Sequence, residues 1–469
     1  MIDLLKHAEE ILMRALAHGG DLAEVFFEEK TLTSIRFEEN KAERIASGTD
    51  IGAGIRILNG DRTLYGHTND VSLKGLCQLA DTVAAGAPSS ASASRSDSTR
   101  AYRFDFEPQH FAIPVKQRAQ DVPTAQKIEL IKVGNRAARA HDARVVQVAI
   151  SYADALRRVV IVNSEGRFVE DVRPQIVLSV NVVAAKDGII QTGYHAVGGA
   201  LGYELFDAED PEVVALIAAR RACLMLDADP APTGRMPVVL SSEAGGTMVH
   251  EAVGHGLEAD HIDKGMSTYC GKLNQMIAAP EVTVVDDATL PAKRGTCNVD
   301  DEGTPAERTV LIDQGRLVRY LNDLRTSRKM DQPPTGNGRR ESYQCKPIPR
   351  MTNTLIAPGN AGPKAILSST DQGLYVRKMG GGQVNPLNGD FVFEVSEGYL
   401  IQSGKAETPV RGATLIGNGP AVLNAIDAIG NDLGFTIGTC GKQGQGAPVS
   451  DAQPTLRIRA LTIGGTAST

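Results

Sequence analysis

Thr247-Met-Val-His-Glu-Ala-Val-Gly-His-Gly-Leu-Glu-Ala-Asp260 follows an apolar run at 236–240 and a small-residue turn at 241–246. The stretch reads as a helix in which His250 and His255 bracket Glu251. Neutral imidazole is a common zinc ligand, and a carboxylate beside such a site can act as general base toward a water the metal activates. The spacing departs from the familiar His-Glu-x-x-His pattern, in which i and i+4 lie about 40° apart around a helix. Positions i and i+5 would stand roughly 140° apart and about 7.5 Å along the axis. Rings splayed that far do not converge on one ion. The sequence therefore predicts a distorted helix, carrying an extra residue as in a π-bulge or broken near Gly254.

This strand–turn–helix opens the second half of the chain. Beyond it, short β-prone runs alternate with turns rich in Gly, Asn and Pro. Residues 309–312 with 317–321, and 391–395 with 399–401, are predicted hairpins. Upstream, one order of elements occurs twice. An amphipathic helix over 2–17 precedes strands at 23–28, 34–38, 52–58 and 62–65 and a helix over 71–84. A helix over 124–141 precedes strands at 145–152, 158–162, 167–171 and 175–183 and a helix over 211–226. The small, polar stretch 86–98 reads as a linker, and Asp229-Pro-Ala-Pro-Thr-Gly234 as a second boundary. The expected class is α+β: two N-terminal helix-plus-meander modules, 1–100 and 101–230, then a β-rich domain over 231–469 that carries the site.

The chain has 469 residues, enough for two or three domains, and a formal net charge of −7, which argues against a broad nucleic-acid-binding face. No apolar run approaches the length of a membrane span, and acids near the N-terminus stand where a signal peptide needs an apolar core. Six scattered cysteines suit a reducing compartment, so a cytoplasmic location is expected.

A metal site needs a third protein ligand. Cys440, flanked by glycines and followed by Lys442 that would favour thiolate, competes for that role with Glu258, Cys270 and His261, and spacing leaves the choice open. Asp286-Asp287 and Asp300-Asp-Glu302 stand beside turn residues and are expected to be solvated or to cap. Arg339-Arg-Glu-Ser-Tyr343 reads either as a peptide-orienting segment or as a salt-bridged loop.

His250-Glu-Ala-Val-Gly-His-Gly-Leu-Glu-Ala-Asp260 resembles the signature of the TldD/PmbA family, on its TldD side. So do Asp301-Glu-Gly-Thr-Pro305, Pro334-Thr-Gly-Asn-Gly-Arg-Arg-Glu-Ser-Tyr343, Arg350-Met-Thr-Asn-Thr354, Arg411-Gly-Ala-Thr-Leu-Ile-Gly417 and Cys440-Gly-Lys442. The resemblance implies a cytoplasmic zinc metallopeptidase with His250, His255 and Cys440 as Zn2+ ligands and Glu251 as base. It also implies unfolded or disordered peptides as substrates, and a homodimer or a heterodimer with a PmbA-like subunit. The rival expectation is a regulatory, peptide-binding protein of the gyrase-modulator kind, whose metal would be structural and closed by a fourth protein ligand. One departure from the family pattern is Cys345, which follows Tyr343-Gln344 where some relatives carry histidine; it bears on substrate contacts rather than on the ligand set.

Overall fold

The computed structural model describes residues 4–86 and 104–466. The fold is α+β, as expected. The predicted linker at 86–98 lies, from residue 87 on, outside the described residues.

The two N-terminal meanders form one sheet. Its strands are β1 (Leu22–Glu38), β2 (Lys41–Asn59), β3 (Arg62–Thr68), β4 (Glu107–Ala112), β5 (Val145–Asn163), β6 (Arg167–Lys186) and β7 (Ile189–Gly199), in the order β3-β2-β1-β5-β6-β4, with β7 also on β6. β1 and β5 join the modules, running antiparallel from Glu24 opposite Asn163 to Glu38 opposite Ala149. The sequence broke β1, β5 and β6 into two strands each, because charged and polar residues interrupt their apolar runs. In the structure those residues stay in the ladder. Asp154 is buried against Lys127, and Arg157 reaches Glu28.

Alternation sets the two faces of this sheet. Ala23, Val25 and Phe27 pack against the helices Leu4–Ala15 and Leu73–Ala85 through Ile11, Leu12, Leu76 and Ala80. Ile35 and Phe37 pack with Ile131, Ala138, Val214 and Ala218 of the helices Thr124–His141 and Pro211–Leu226. The latter helix starts where its sequence says it should: Asp210 accepts from the Glu212 N–H, with proline in the first turn. The opposite face carries Glu24, Phe26 and Glu28 toward the C-terminal region, where Phe26 meets Tyr343.

In the C-terminal region five strands pair in a closed ring. Gln372–Val384 lies between Gly234–Leu240 and Asp390–Gln402; Leu456–Gly464 lies between Gly234–Leu240 and Thr414–Asn418; and Thr414–Asn418 returns to Asp390–Gln402. The hairpin predicted over 391–401 is thus one 13-residue strand, which continues through Ser396-Glu-Gly398 because Gln372–Val384 pairs along it. The predicted hairpin near 313–315 is present, with a short second strand. A second, six-stranded sheet ends on Gly434–Lys442, which among the described residues pairs only with Gln445–Gln453. Val249, Val253 and Leu257 fix the motif segment into the core that includes Leu240, Val376 and Phe393.

Candidate metal centre

The motif segment is α-helical over Thr247–Val249, a π turn over His250–Gly254, and 3-10 over His255–Leu257. The His255 N–H bonds to the His250 carbonyl, an i to i+5 closure that admits one extra residue and brings the second ring round to the first. The ring centroids are 5.0 Å apart and the planes nearly perpendicular, at 88°. Gly254 has a steric role as well: a Cβ there would lie 1.9 Å from the Met351 sulfur.

Cys440 comes from the edge strand Gly434–Lys442. Its Sγ lies 3.3 Å from His250 Nε2 and 3.4 Å from His255 Nε2. The far nitrogen of each ring is held by a carboxylate. His250 Nδ1 donates to Asp451 Oδ1 at 2.6 Å, and His255 Nδ1 to Glu258 Oε2 at 2.9 Å. Asp451 belongs to the strand paired with that of Cys440. Arg350, fully buried, donates to the carbonyls of Cys440 and Gln445 and so fixes the hairpin between them. Two imidazole nitrogens and a sulfur facing one another, with both rings anchored from behind, fit a borderline-soft ion such as zinc.

The charges agree with this chemistry. Burial opposes a charged ring at His250, but Asp451 and the Cys440 sulfur outweigh it and hold His250 well above the usual imidazole range. His255, buried too, is pushed up to about 9 by Glu258 and Cys440. Burial would raise the Cys440 thiol, but hydrogen bonds from the two imidazoles bring it down to about 5. Burial raises the Glu251 carboxyl, with the imidazoles opposing. Glu251 is half-buried and lines, with His250, His255 and Cys440, a cavity of about 480 Å³. Lys378, Gly381 and Thr439 form part of its wall.

The other sequence candidates are placed elsewhere. Cys270 Sγ donates to the Ile262 carbonyl and His261 Nδ1 to that of His255. Glu258 faces His255 Nδ1 and Lys442, not the His–His–Cys triangle. Lys442 pairs with Glu258 at 3.0 Å and Asp260 at 2.5 Å, so it is the imidazoles that favour the thiolate. The expectation of solvated or capping carboxylates holds in its second half only. Asp287 caps the Thr289 N–H and Asp300 those of Glu302 and Thr304, but Asp286 accepts from Thr352, Thr354 and Asn337 in the interior, and Asp301 and Glu302 are buried against arginines. The adjoining turn residues, Ala288-Thr289 and Gly303-Thr-Pro305, gave the impression of solvent exposure, since the partners lie far away in sequence. Asp451 and Arg350 were not foreseen as functional. Arg350 stands in a motif already singled out, whereas no local pattern marks Asp451.

Three models of one family match the chain: PmbA/TldA metallopeptidase domain 1 at 23–87, the central domain at 117–226 and the C-terminal domain at 233–465. A Haemophilus influenzae "Metalloprotease TldD homolog" is 37% identical, covering 95% of this chain and 93% of that protein. A Saccharolobus solfataricus "Zinc metalloprotease TldD homolog" is 27% identical over 99% and 100% of the two chains. Among solved structures, a Thermotoga maritima protein named as a candidate modulator of a DNA gyrase superposes with a TM-score of 0.79 at 21% identity, over 98% of this chain and 100% of that one. TldE from Thermococcus kodakarensis gives 0.72 at 17% identity, over 98% and 100%. Among the described residues no helix is long and apolar enough to cross a membrane.

Proposed function

The chain belongs to the PmbA/TldD metallopeptidase family, and from that premise we propose a zinc peptidase with His250 Nε2, His255 Nε2 and Cys440 Sγ as ligands and Glu251 as general base. The observation that carries this reading is the π turn, which sets two histidines at i and i+5 against one sulfur. Bound there, zinc would act as a Lewis acid toward the scissile carbonyl and lower the pKa of water toward about 7.

The protein's own groups do the rest. Asp451 and Glu258 keep the Nδ1 protons of the two histidines in place, which leaves each Nε2 lone pair for the metal. Glu251, raised by burial yet able to ionise, takes a proton from the attacking water and delivers it to the leaving amine. The strand Gly434–Lys442, at the edge of its sheet with Cys440 near its end, suits an extended, unfolded peptide added alongside it at the positions that Arg294 and Arg350 leave unbonded. We propose further that the protein is cytoplasmic and acts as a dimer with a second copy or a PmbA-like chain. The regulatory reading, with a closed structural metal, is less well supported, because Glu258 and Cys270 are engaged elsewhere.

Metal removal tests the assignment. The protein is expected to bind about one zinc per chain, to lose hydrolysis of an unfolded casein substrate on chelation, and to regain it with zinc, alone or with a PmbA-like partner. Zinc bound without cleavage in either condition would favour the regulatory reading. Zinc uptake at about pH 6, below the range where activated water ionises, is expected to release about two protons, both from imidazole Nε2, since Cys440 is already largely thiolate there. Calorimetry in buffers of different ionisation enthalpy measures this, and release of a single proton would contradict the charge assignment. For Asp451→Asn, competition with a chromophoric chelator should show zinc affinity about 10–100-fold weaker. Wild-type affinity would remove Asp451 from the account.

A further inference from the structure

A second cavity, of about 370 Å³, lies between the first sheet and the C-terminal region. Most of the charge on its wall is paired. Arg157 and Arg173 share Asp301, Arg340 reaches Glu24, and Asp154 is held by Lys127. Asp300 accepts the backbone N–H groups of Glu302, Thr304 and Gly338, and Glu341 that of Gly446.

Arg294 and Arg339 differ. Arg294 Nε donates to the Gly438 carbonyl at 3.0 Å and Nη2 to Thr439 Oγ1 at 3.1 Å. Arg339 Nη1 and Nη2 donate to the carbonyls of Met351 and Pro448. Among the described residues neither forms an ion pair with a carboxylate. Burial and the charge of Arg339 lower Arg294 to about 10. Arg339 is buried and Arg294 half-buried, and two neighbouring guanidinium groups held only by neutral acceptors repel each other unless an anion joins them. Thr439, which accepts from Arg294, lines both cavities, and Cys440 is the next residue. Leu32, Ile176 and Val177 add an apolar wall.

We propose that this cavity is a carboxylate-binding subsite of the peptidase, in which Arg294, with Arg339 behind it, takes a carboxylate of the bound peptide. The proposal rests on the peptidase reading above. The carboxylate comes either from the peptide's C-terminus or from an acidic side chain, and the apolar wall accommodates the residue that carries it. Guanidinium suits this role because its planar donors match a carboxylate in pairs. The metal centre and the subsite then grip one substrate on either side of the strand that carries Cys440.

The test uses the zinc-loaded Glu251→Ala protein, which holds a peptide without turning it over, and fluorescence anisotropy. One labelled peptide sequence is prepared with a free C-terminus and a glutamate, as its C-terminal amide, with Glu→Gln, and with both changes. The doubly neutral form is expected to bind about ten- to a hundredfold more weakly than the parent. Loss on amidation alone assigns the C-terminus, and loss on Glu→Gln alone assigns the side chain. Adding Arg294→Gln should bring the ratio near one, while Arg294→Lys should keep part of it. Equal binding of parent and doubly neutral peptide, or an undiminished preference in Arg294→Gln, overturns the proposal. Hydrolysis by the wild type is measured separately. Preferential binding without any cleavage fails the peptidase reading and keeps the subsite; cleavage of all forms, bound equally, does the reverse.

Discussion

Glu251→Ala is expected to lower kcat for peptide hydrolysis by about 10²–10⁴-fold while zinc content stays at one per chain. The two halves of that result come from separate positions in the site. The proposed ligand atoms are those of His250, His255 and Cys440, which lie within 4.8 Å of one another without any contribution from Glu251. Glu251 instead faces the cavity, half-buried, where a water beside the metal would lie within its reach. Glu251→Gln should be nearly as inert, because it keeps the shape and loses the base. Glu251→Asp shortens the reach and should retain a fraction of the activity. Zinc lost along with activity in Glu251→Ala would mean that the carboxylate holds the ion or the fold, and the assignment of a base would fail.

Arg56→Met should produce the largest loss of stability, about 3–5 kcal/mol. Arg56 is 2% exposed and donates to Glu302 at 2.5 Å and to Glu24 at 2.7 Å, both of which are fully buried. Arg340 donates to the other oxygen of Glu24. The cluster joins β1 and β2 of the first sheet to the C-terminal region. Methionine keeps much of the arginine volume but leaves two buried carboxylates short of a cation. Burial pushes Glu302 up to about 8 although Arg56 opposes that shift, so removing Arg56 should raise it further. Differential scanning calorimetry should show the N-terminal sheet melting ahead of the C-terminal region. An unchanged melting profile would show that the seam is held by its apolar contacts, Phe26 and Tyr343 among them.

Much of this molecule is legible in the sequence where the controlling interaction is local. The helices Thr124–His141 and Pro211–Leu226 follow from periodicity and flanking residues and appear with the predicted bounds. The one-residue excess between His250 and His255 predicts a distorted helix, and a π turn is what the structure contains. What the sequence hid depends on distant partners. β1 and β5 look broken because their charged residues find neutralising groups far away in the chain. The acidic clusters look solvated for the same reason. Asp451 carries no signature of its own, since its role exists only once its strand pairs with that of Cys440. Cys440 itself was one of several third-ligand candidates until the family resemblance singled it out.

The His–His–Cys triangle joins residues 190 positions apart in the chain. At ribosomal rates of about 5–20 residues per second, Cys440 leaves the peptidyl-transferase centre roughly 10–40 s after His250. Until then the nascent polypeptide has two histidines and no third donor, and the strand that would receive a substrate does not exist. An enzyme whose proposed diet is unfolded protein is thus harmless during its own translation, when it and its neighbours on the polysome are themselves unfolded. The long separation means that a nascent chain lacks the proposed site until the hairpin carrying Cys440 and Asp451 has been made.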